Sequence, residues 1–492
     1  MSTCDPRTPV LIGCGQVNIS GGGSPEPIDL MVEAARLAGA DAGVPRAVDS
    51  IESVRVVRTL SRAYPDPGAL VAERLGLGRT HTTYSTVGGN IPQLLVNRSA
   101  ADIAAGRADL IVICGAEAWK TRSKARASGA LLDWTEQDPR CRPDDSFGQG
   151  KDFSNDVERQ LGLGEPVVAY PLFEVAHRHL RGWTVDEHRA VMGSLWSRFS
   201  SAAASNPYAA IRRSVTPEDL VTAAPGNRMI SYPYTKLLCS NNSVDQAAAL
   251  LMCSADKARS LGVPADRWVF LHGSAEGDDT DHISNRADLG RSAAIRQVGA
   301  ATLETARISV DDLRYIDLYS CFPSAVLIAA HELGIELDRD LTVTGGLTFA
   351  GGPWNNYVSH SIATMMGILR ESPEDFGLCT ANGGLLTKHA AAVYSCRPTD
   401  ASARWRSVQN DLDLAPRLEL TIDSSFDGVI EAYTVVHDRD GSPTRAVISV
   451  IPQAGQRAWG HTTDDLDMSA LIEDDLCGHR VHLDDGVATL GP

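Results

Sequence analysis

With 492 residues, 43% hydrophobic and 22% charged, the chain has the balance of a folded globular protein and the length of about three compact units. Its formal net charge of −17 repels phosphate backbones, and no Lys/Arg stripe interleaved with aromatics offsets that, so nucleic acid is set aside as a partner. Residues 1–7 show no charged segment leading into an apolar run, and no stretch approaches a membrane helix, so no membrane span and a cytoplasmic location are expected.

The chain opens as β then α. An apolar run over residues 10–15 predicts a strand, the Gly/Pro-rich stretch 21–27 ends it, and apolar positions at helical spacing predict a helix over 28–38. A second helix over 94–105 stops at Gly106. The run from Leu110 to Gly115, apolar on both faces, predicts a central parallel strand. From about 119 to 240 the β/α rhythm yields to helices between polar loops, one of them opened by a capping-box pattern at Thr184 and Glu187. The rhythm resumes with an expected helix over 243–252 and a strand over 268–273, and a second β/α unit runs over 293–394.

After Pro398 the texture changes. Alternating stretches at 428–436 and 445–451 flank the turn residues Asp438 to Pro443 and predict a β-hairpin. With short segments near 418–420 and 479–483, the end of the chain reads as a small antiparallel barrel. Ten cysteines lie scattered from Cys4 to Cys477 with no CxxC pair, which suggests neither a disulfide framework nor a zinc site. His177 and His179 lack a Cys or carboxylate at ligand spacing and read as core and surface histidines on a helix, so no metal is expected.

Two β/α units, the first interrupted by a helical insertion, resemble the duplicated architecture of the thiolase superfamily. Gly106 to Glu117 is similar to that family's glycine turn, buried strand and Gly-x-Glu ending, and Gly345 to Pro353 is similar to its Gly-Gly-x-x-x-x-Gly-His-Pro. The run from His179 through Trp183, Asn206, Pro207, Tyr232 and Pro233 to Ala249 resembles the loop domain of the sterol-carrier-protein branch. The resemblance covers about residues 7–396. It implies an α/β, five-layered, duplicated thiolase-like fold, with a first half over 1–285 carrying the insertion, a second half over 286–400, and an OB-like β-barrel over 415–490.

The resemblance also fixes where catalytic groups should stand, and each position has lost its group. Family spacing puts the nucleophilic cysteine at Gly89, the histidine of Gly-His-Pro at Gly352, and the second cysteine at Asn382. The Asn-Glu-Ala-Phe motif, or His-Asp-Cys-Phe in the sterol-carrier branch, falls on Tyr319, Ser320, Cys321 and Phe322, so Ser320 replaces its acidic residue. Thiolase chemistry needs a thiolate to carry the acyl group and an activating base, and glycine supplies neither. Cys379 stands three residues before Asn382, which along a strand reverses the side chain's face. His360 and His389 flank the region and read as packing or surface residues.

What survives is glycine. Gly88, Gly89, Gly351, Gly352, Gly383 and Gly384 would line the meeting point of the thiolase loops, where backbone amides could approach a thioester. The resemblance implies a protein of lipid metabolism related to acetyl-CoA acetyltransferases. It would bind coenzyme A or an acyl-CoA weakly, need no other cofactor, and lack thiolase turnover. Two other readings stay open. Thiolase-like aldolases carry a tyrosine at the position of Tyr319 and work with an OB-fold partner, which implies retro-aldol cleavage, or acyl transfer, through Tyr319. A non-catalytic assembly subunit with a protein partner on the C-terminal domain is the other. Thiolases are usually dimers through the first-cysteine loop; here Pro92 ends that loop and is expected to alter the strand that would pair across the interface, and dimer and monomer are left equal.

Overall fold

Strands β1 (Pro9–Asn18), β2 (Ser53–Val56), β3 (His81–Ser85) and β4 (Leu110–Ala118) build the first half of the fold. The insertion contributes β5 (Asp145–Phe147), β6 (Met229–Ser231) and β7 (Tyr234–Thr235), and the half is completed by β8 (Asp245–Ser254). Its sheet runs β5-β3-β2-β4-β8-β1. The second half follows with β9 (Val269–Asp278), β10 (Leu313–Asp317), β11 (Phe376–Gly383) and β12 (Lys388–Ser395), in the order β9-β12-β11-β10. The computed structural model describes residues 4–21, 23–150, 152–399, 404–422 and 425–490.

The two sheets repeat one plan. Numbered within each half, the first reads 3-2-4-5-1 apart from β5, and the second reads 2-3-4-1, the same order without the outermost strand. They touch only where β1 meets β9, at Val10↔Phe270 and Leu11↔Val269. Helices Ile91–Ala104 and Tyr357–Glu371 lie between them and pack on strands of both, while Pro27–Asp41 covers the first sheet outside and Ala293–Ala306 the second. The result is five layers, helix, sheet, helix, sheet, helix, as the thiolase resemblance implies.

Three local expectations need correction. Residues 243–252, expected as a helix, form most of β8, every residue of which is buried between β1 and β4. Alanine's helical propensity yields because small residues on both faces let helix layers pack close on either side of this central strand. The strand at 110–118 is parallel to β2 but antiparallel to β8, so it is parallel on one side only. Pro92 disturbs no strand: it stands in the first turn of helix Ile91–Ala104, where its missing N–H removes no bond. The free edge of β3 is instead taken by β5, in register Thr83↔Asp145 to Ser85↔Phe147.

The insertion is helical as expected, and Thr184 caps helix Val185–Ser205 in a full capping box with Glu187. Beyond the second half, β13 (Trp405–Ser407) pairs with β9, and β14 (Glu419–Leu420) leads into the terminal domain. There β15 (Ser425–His437), β16 (Pro443–Ile451), β17 (Gln456–Thr462), β18 (Arg480–Asp484) and β19 (Val487–Leu490) close a ring, β15-β16-β17-β19-β18-β15. Closure removes the sheet edges. The β17–β19 pair is parallel, so the barrel is antiparallel elsewhere but not throughout. Helix Asp465–Glu473 bridges β17 and β18. Among the described residues, no helix is long and apolar enough to cross a membrane.

One buried cation locks barrel to core. Arg457, on β17 and fully buried, donates to Glu431 through Nε at 2.8 Å and Nη2 at 2.6 Å. Its Nη1 donates to the carbonyls of Ile283, Ser284 and Arg286, all in the core. Trp459 Nε1 adds a 2.8 Å bond to Ser284 Oγ. Every guanidinium nitrogen is thereby satisfied, which is what makes a buried charge tolerable. Replacing Arg457 by Met leaves Glu431 unpaired and should lower unfolding free energy by about 3–5 kcal/mol. Arg406→Ala, which removes the half-exposed Arg406–Glu304 pair, should change it by less than about 1 kcal/mol in the same denaturant titration.

Candidate functional site

The turn between β3 and helix Ile91–Ala104 brings Gly88 and Gly89 to the helix N-terminus, the place where a nucleophile would gain from the helix dipole. The loop from β10 into helix Pro323–Leu333 carries Tyr319 to Phe322, and the end of β11 carries Asn382 and Gly383. These three segments converge. A side-chain carbon built on Gly89 would fall well inside 3.0 Å of both the Tyr319 hydroxyl and the Asn382 carbonyl oxygen. The space a catalytic cysteine would need is filled by a tyrosine ring from one side and backbone from the other.

The remaining glycines are equally hemmed in. Gly88 N–H donates to Asn355 Oδ1 at 2.9 Å, and Gly383 lies against the Asn90 side chain. Gly351 and Gly384 have φ of +114° and +63°, a backbone that favours glycine. Gly352 N–H donates to Asn241 O at 2.9 Å, and a side chain there would meet the end of the half-buried Asn242 side chain at 2.8 Å. Ser240 Oγ links this segment to the Cys321 carbonyl at 3.0 Å. Ser320 is fully buried, and its Oγ accepts from the Leu347 amide at 3.4 Å.

A residue the sequence did not single out completes the closure. Tyr170, from insertion helix Pro166–Arg181, stacks on Phe322 at 4.5 Å, with Tyr234 on the same ring at 5.4 Å. Its hydroxyl accepts from Asn382 Nδ2 at 2.9 Å and from the Leu386 amide at 3.1 Å. No spacing in the sequence marks it, because its partner lies 212 residues away. Behind Tyr319 and Asn382 remains an apolar void of about 20 Å³, room for one water. Two larger clefts flank the Thr86–Val87 turn outside. One of about 260 Å³ is bordered by Asn90, Glu276 and Lys388, and one of about 570 Å³ by Arg58, Tyr84 and Arg142.

Reactivity is damped throughout. Burial pushes the Tyr319 phenol above its ordinary range, with the neighbouring Cys321 adding to the shift. Cys321 is the thiol of the site, 3.8 Å from Asn382 Nδ2, and burial pushes it up to about 12. Cys379 is not brought in: it is fully buried on β11, beside Ser361 and Asp317, and burial raises it further. His360 bonds Gln16 through Nδ1 at 2.9 Å, and His389 bonds the Leu386 carbonyl through Nε2 at 3.0 Å. Where the Gly89 turn meets the end of β11, the buried Oδ1 atoms of Asn90 and Asn382 have no hydrogen-bond partner.

Comparison with known proteins follows this geometry. Residues 407–486 match the additional C-terminal domain of thiolase-like protein type 1. The crystal structure of a monomeric SCP2-thiolase-like protein type 1 from Mycobacterium smegmatis is 32% identical, covers 99% of this chain and 100% of its own, and superposes with a TM-score of 0.85. The chain belongs to the SCP2-thiolase-like protein type 1 family. This family member is also 25% identical over 267 residues to an acetyl-CoA acetyltransferase of Methanocaldococcus jannaschii, a match that takes in 54% of this chain and 60% of that protein's length. An Ltp2–ChsH2(DUF35) aldolase shares the fold at 20% identity and a TM-score of 0.60, over 81% of this chain and all of its own.

Two outcomes check the closure and its buried rings. Gly89→Ala should destabilise by about 1–3 kcal/mol through overpacking against an immovable carbonyl, whereas Gly78→Ala, with nothing within 4 Å, should be nearly silent in thermal unfolding. Burial holds His177, His360 and His389 down to about 4, 3 and 4, against about 6.5 when unfolded. The unfolded chain then binds more protons below pH 6.5, so their contribution is full above that pH and lost as pH falls towards 4. Each ring adds roughly 1.4 kcal/mol per pH unit to that loss, and His360→Gln should flatten the pH dependence of unfolding between 6 and 4 by about one proton.

Proposed function

We propose that this protein is a non-thiolytic member of the acyl-CoA-handling thiolase superfamily, engaging coenzyme A or an acyl-CoA weakly and transferring no acyl group through cysteine. The observation that carries this reading is the contact of Tyr319 and the Asn382 carbonyl on Gly89, which removes the nucleophile and the room for one. The acyl-CoA class is taken from the acetyltransferase relative. A void of about 20 Å³ admits no pantetheine arm, so the ligand rests in the outer clefts. There Arg58 and Arg142 border about 570 Å³ with cationic groups suited to phosphates, on a chain that is otherwise acidic.

Retro-aldol cleavage is the second reading, because Tyr319 stands at the centre of the site. Against it, the phenol is buried, its pKa is raised, and Ser320 follows it where a carboxylate would lower the barrier to proton transfer.

Purified protein given acetoacetyl-CoA and free coenzyme A should show no thiolysis above background, and calorimetry with coenzyme A should show weak, saturable heat that Arg58→Ala reduces. Robust thiolysis would overturn the catalytic half of the reading, and absence of heat at millimolar coenzyme A the binding half. Cleavage of a β-hydroxyacyl-CoA that stops in Tyr319→Phe would put the aldolase reading in its place.

A further inference from the structure

The last turn of helix Pro166–Arg181 packs against the turn that joins helix Asp465–Glu473 to β18. Asp475 shapes that turn by accepting the Cys477 N–H on Oδ1 at 3.2 Å, and the chain then passes Gly478 at φ +84°, against the His179 ring. A ring nitrogen of His179, a carboxylate oxygen of Asp475 and the Cys477 sulfur all lie within 4.8 Å of one another. These groups come from the insertion and from the barrel, so no local spacing reveals them.

We propose that His179, Asp475 and Cys477 form a site for a divalent cation of the zinc class, which ties the barrel to the helical insertion. Imidazole, carboxylate and thiolate together are the borderline-soft donor set that zinc takes, and three protein ligands leave a fourth position for water. Tetrahedral zinc holds such atoms about 3.3–3.8 Å apart, so a closure of roughly 1 Å, within reach of the exposed His179 ring, completes the geometry.

The Arg178 guanidinium, which donates to Asp475 at 2.7 and 2.5 Å, does not exclude a cation. A carboxylate offers about four lone-pair directions. Arg178 uses two and the Cys477 amide one, which leaves one for the metal, with Arg178 fixing the ligand from outside as second partners do. One thiolate and one carboxylate offset the charge of a divalent ion, and with the paired Arg178 guanidinium the group keeps a net charge of +1. Without metal the Cys477 thiol donates to the Glu431 carbonyl at 3.5 Å, so the proton is on sulfur. Binding exchanges it: the S–H bond breaks, the sulfur–metal bond forms and one proton leaves to solvent.

The test uses the untagged, full-length, chelator-treated protein titrated with cobalt(II). One equivalent should produce a thiolate-to-cobalt charge-transfer absorption, with about one proton released, and zinc should displace cobalt and raise the unfolding temperature. His179→Ala and Cys477→Ser should each remove the absorption and weaken zinc binding at least tenfold, while Cys141→Ser changes neither. His179 is exposed, so its variant folds and decides the matter if the Cys477 variant does not. No charge-transfer band, or a band and zinc affinity unchanged by His179→Ala, would overturn the site.

Discussion

Two other segments of this thiolase-fold protein close on the backbone at residue 89. The Tyr319 hydroxyl and the Asn382 carbonyl approach Gly89 so closely that only a residue without a side chain fits between them. In a thiolase the same helix N-terminus would present a thiolate to an acyl-CoA. Here it presents a glycine to a phenol, and the phenol's own burial makes it a poor acid or base. A side chain at residue 89 would therefore require both the Tyr319 loop and the end of β11 to move.

That packing reaches outwards. Tyr170 from the insertion holds Asn382 and the Leu386 amide, and its ring stacks on Phe322, so the insertion is bonded to the end of β11 and to the Tyr319–Phe322 loop. The insertion in turn carries β6, whose Ser231 pairs with Val436 of the barrel, and Arg457 joins the barrel to the 283–286 loop. Closed site, insertion and barrel are mechanically one unit.

Much of this was legible in the sequence. Long apolar runs marked β1 and β4, the Asp438–Pro443 turn signals marked the hairpin, and matches in the right order along the chain pointed to the thiolase plan. The alanine-rich run at β8 misled because propensity is a local quantity and its neighbours in the sheet are remote. At the site, family spacing brought Gly89, Tyr319 and Asn382 to the same point, and the period of two along β11 turned Cys379 away from it. Tyr170, and the grouping of His179 with Asp475 and Cys477, could not be read because each depends on contacts between distant segments.

The central claim, that no sulfur of this protein takes an acyl group at the thiolase site, is tested most directly by peptide mass mapping after incubation with acetyl-CoA and acetoacetyl-CoA. The closed site predicts unmodified Cys321 and Cys379, both buried with their thiols held protonated. An acetyl group on either of them, formed faster than on exposed model thiols, would contradict the account and show that the site opens to make an acyl-enzyme.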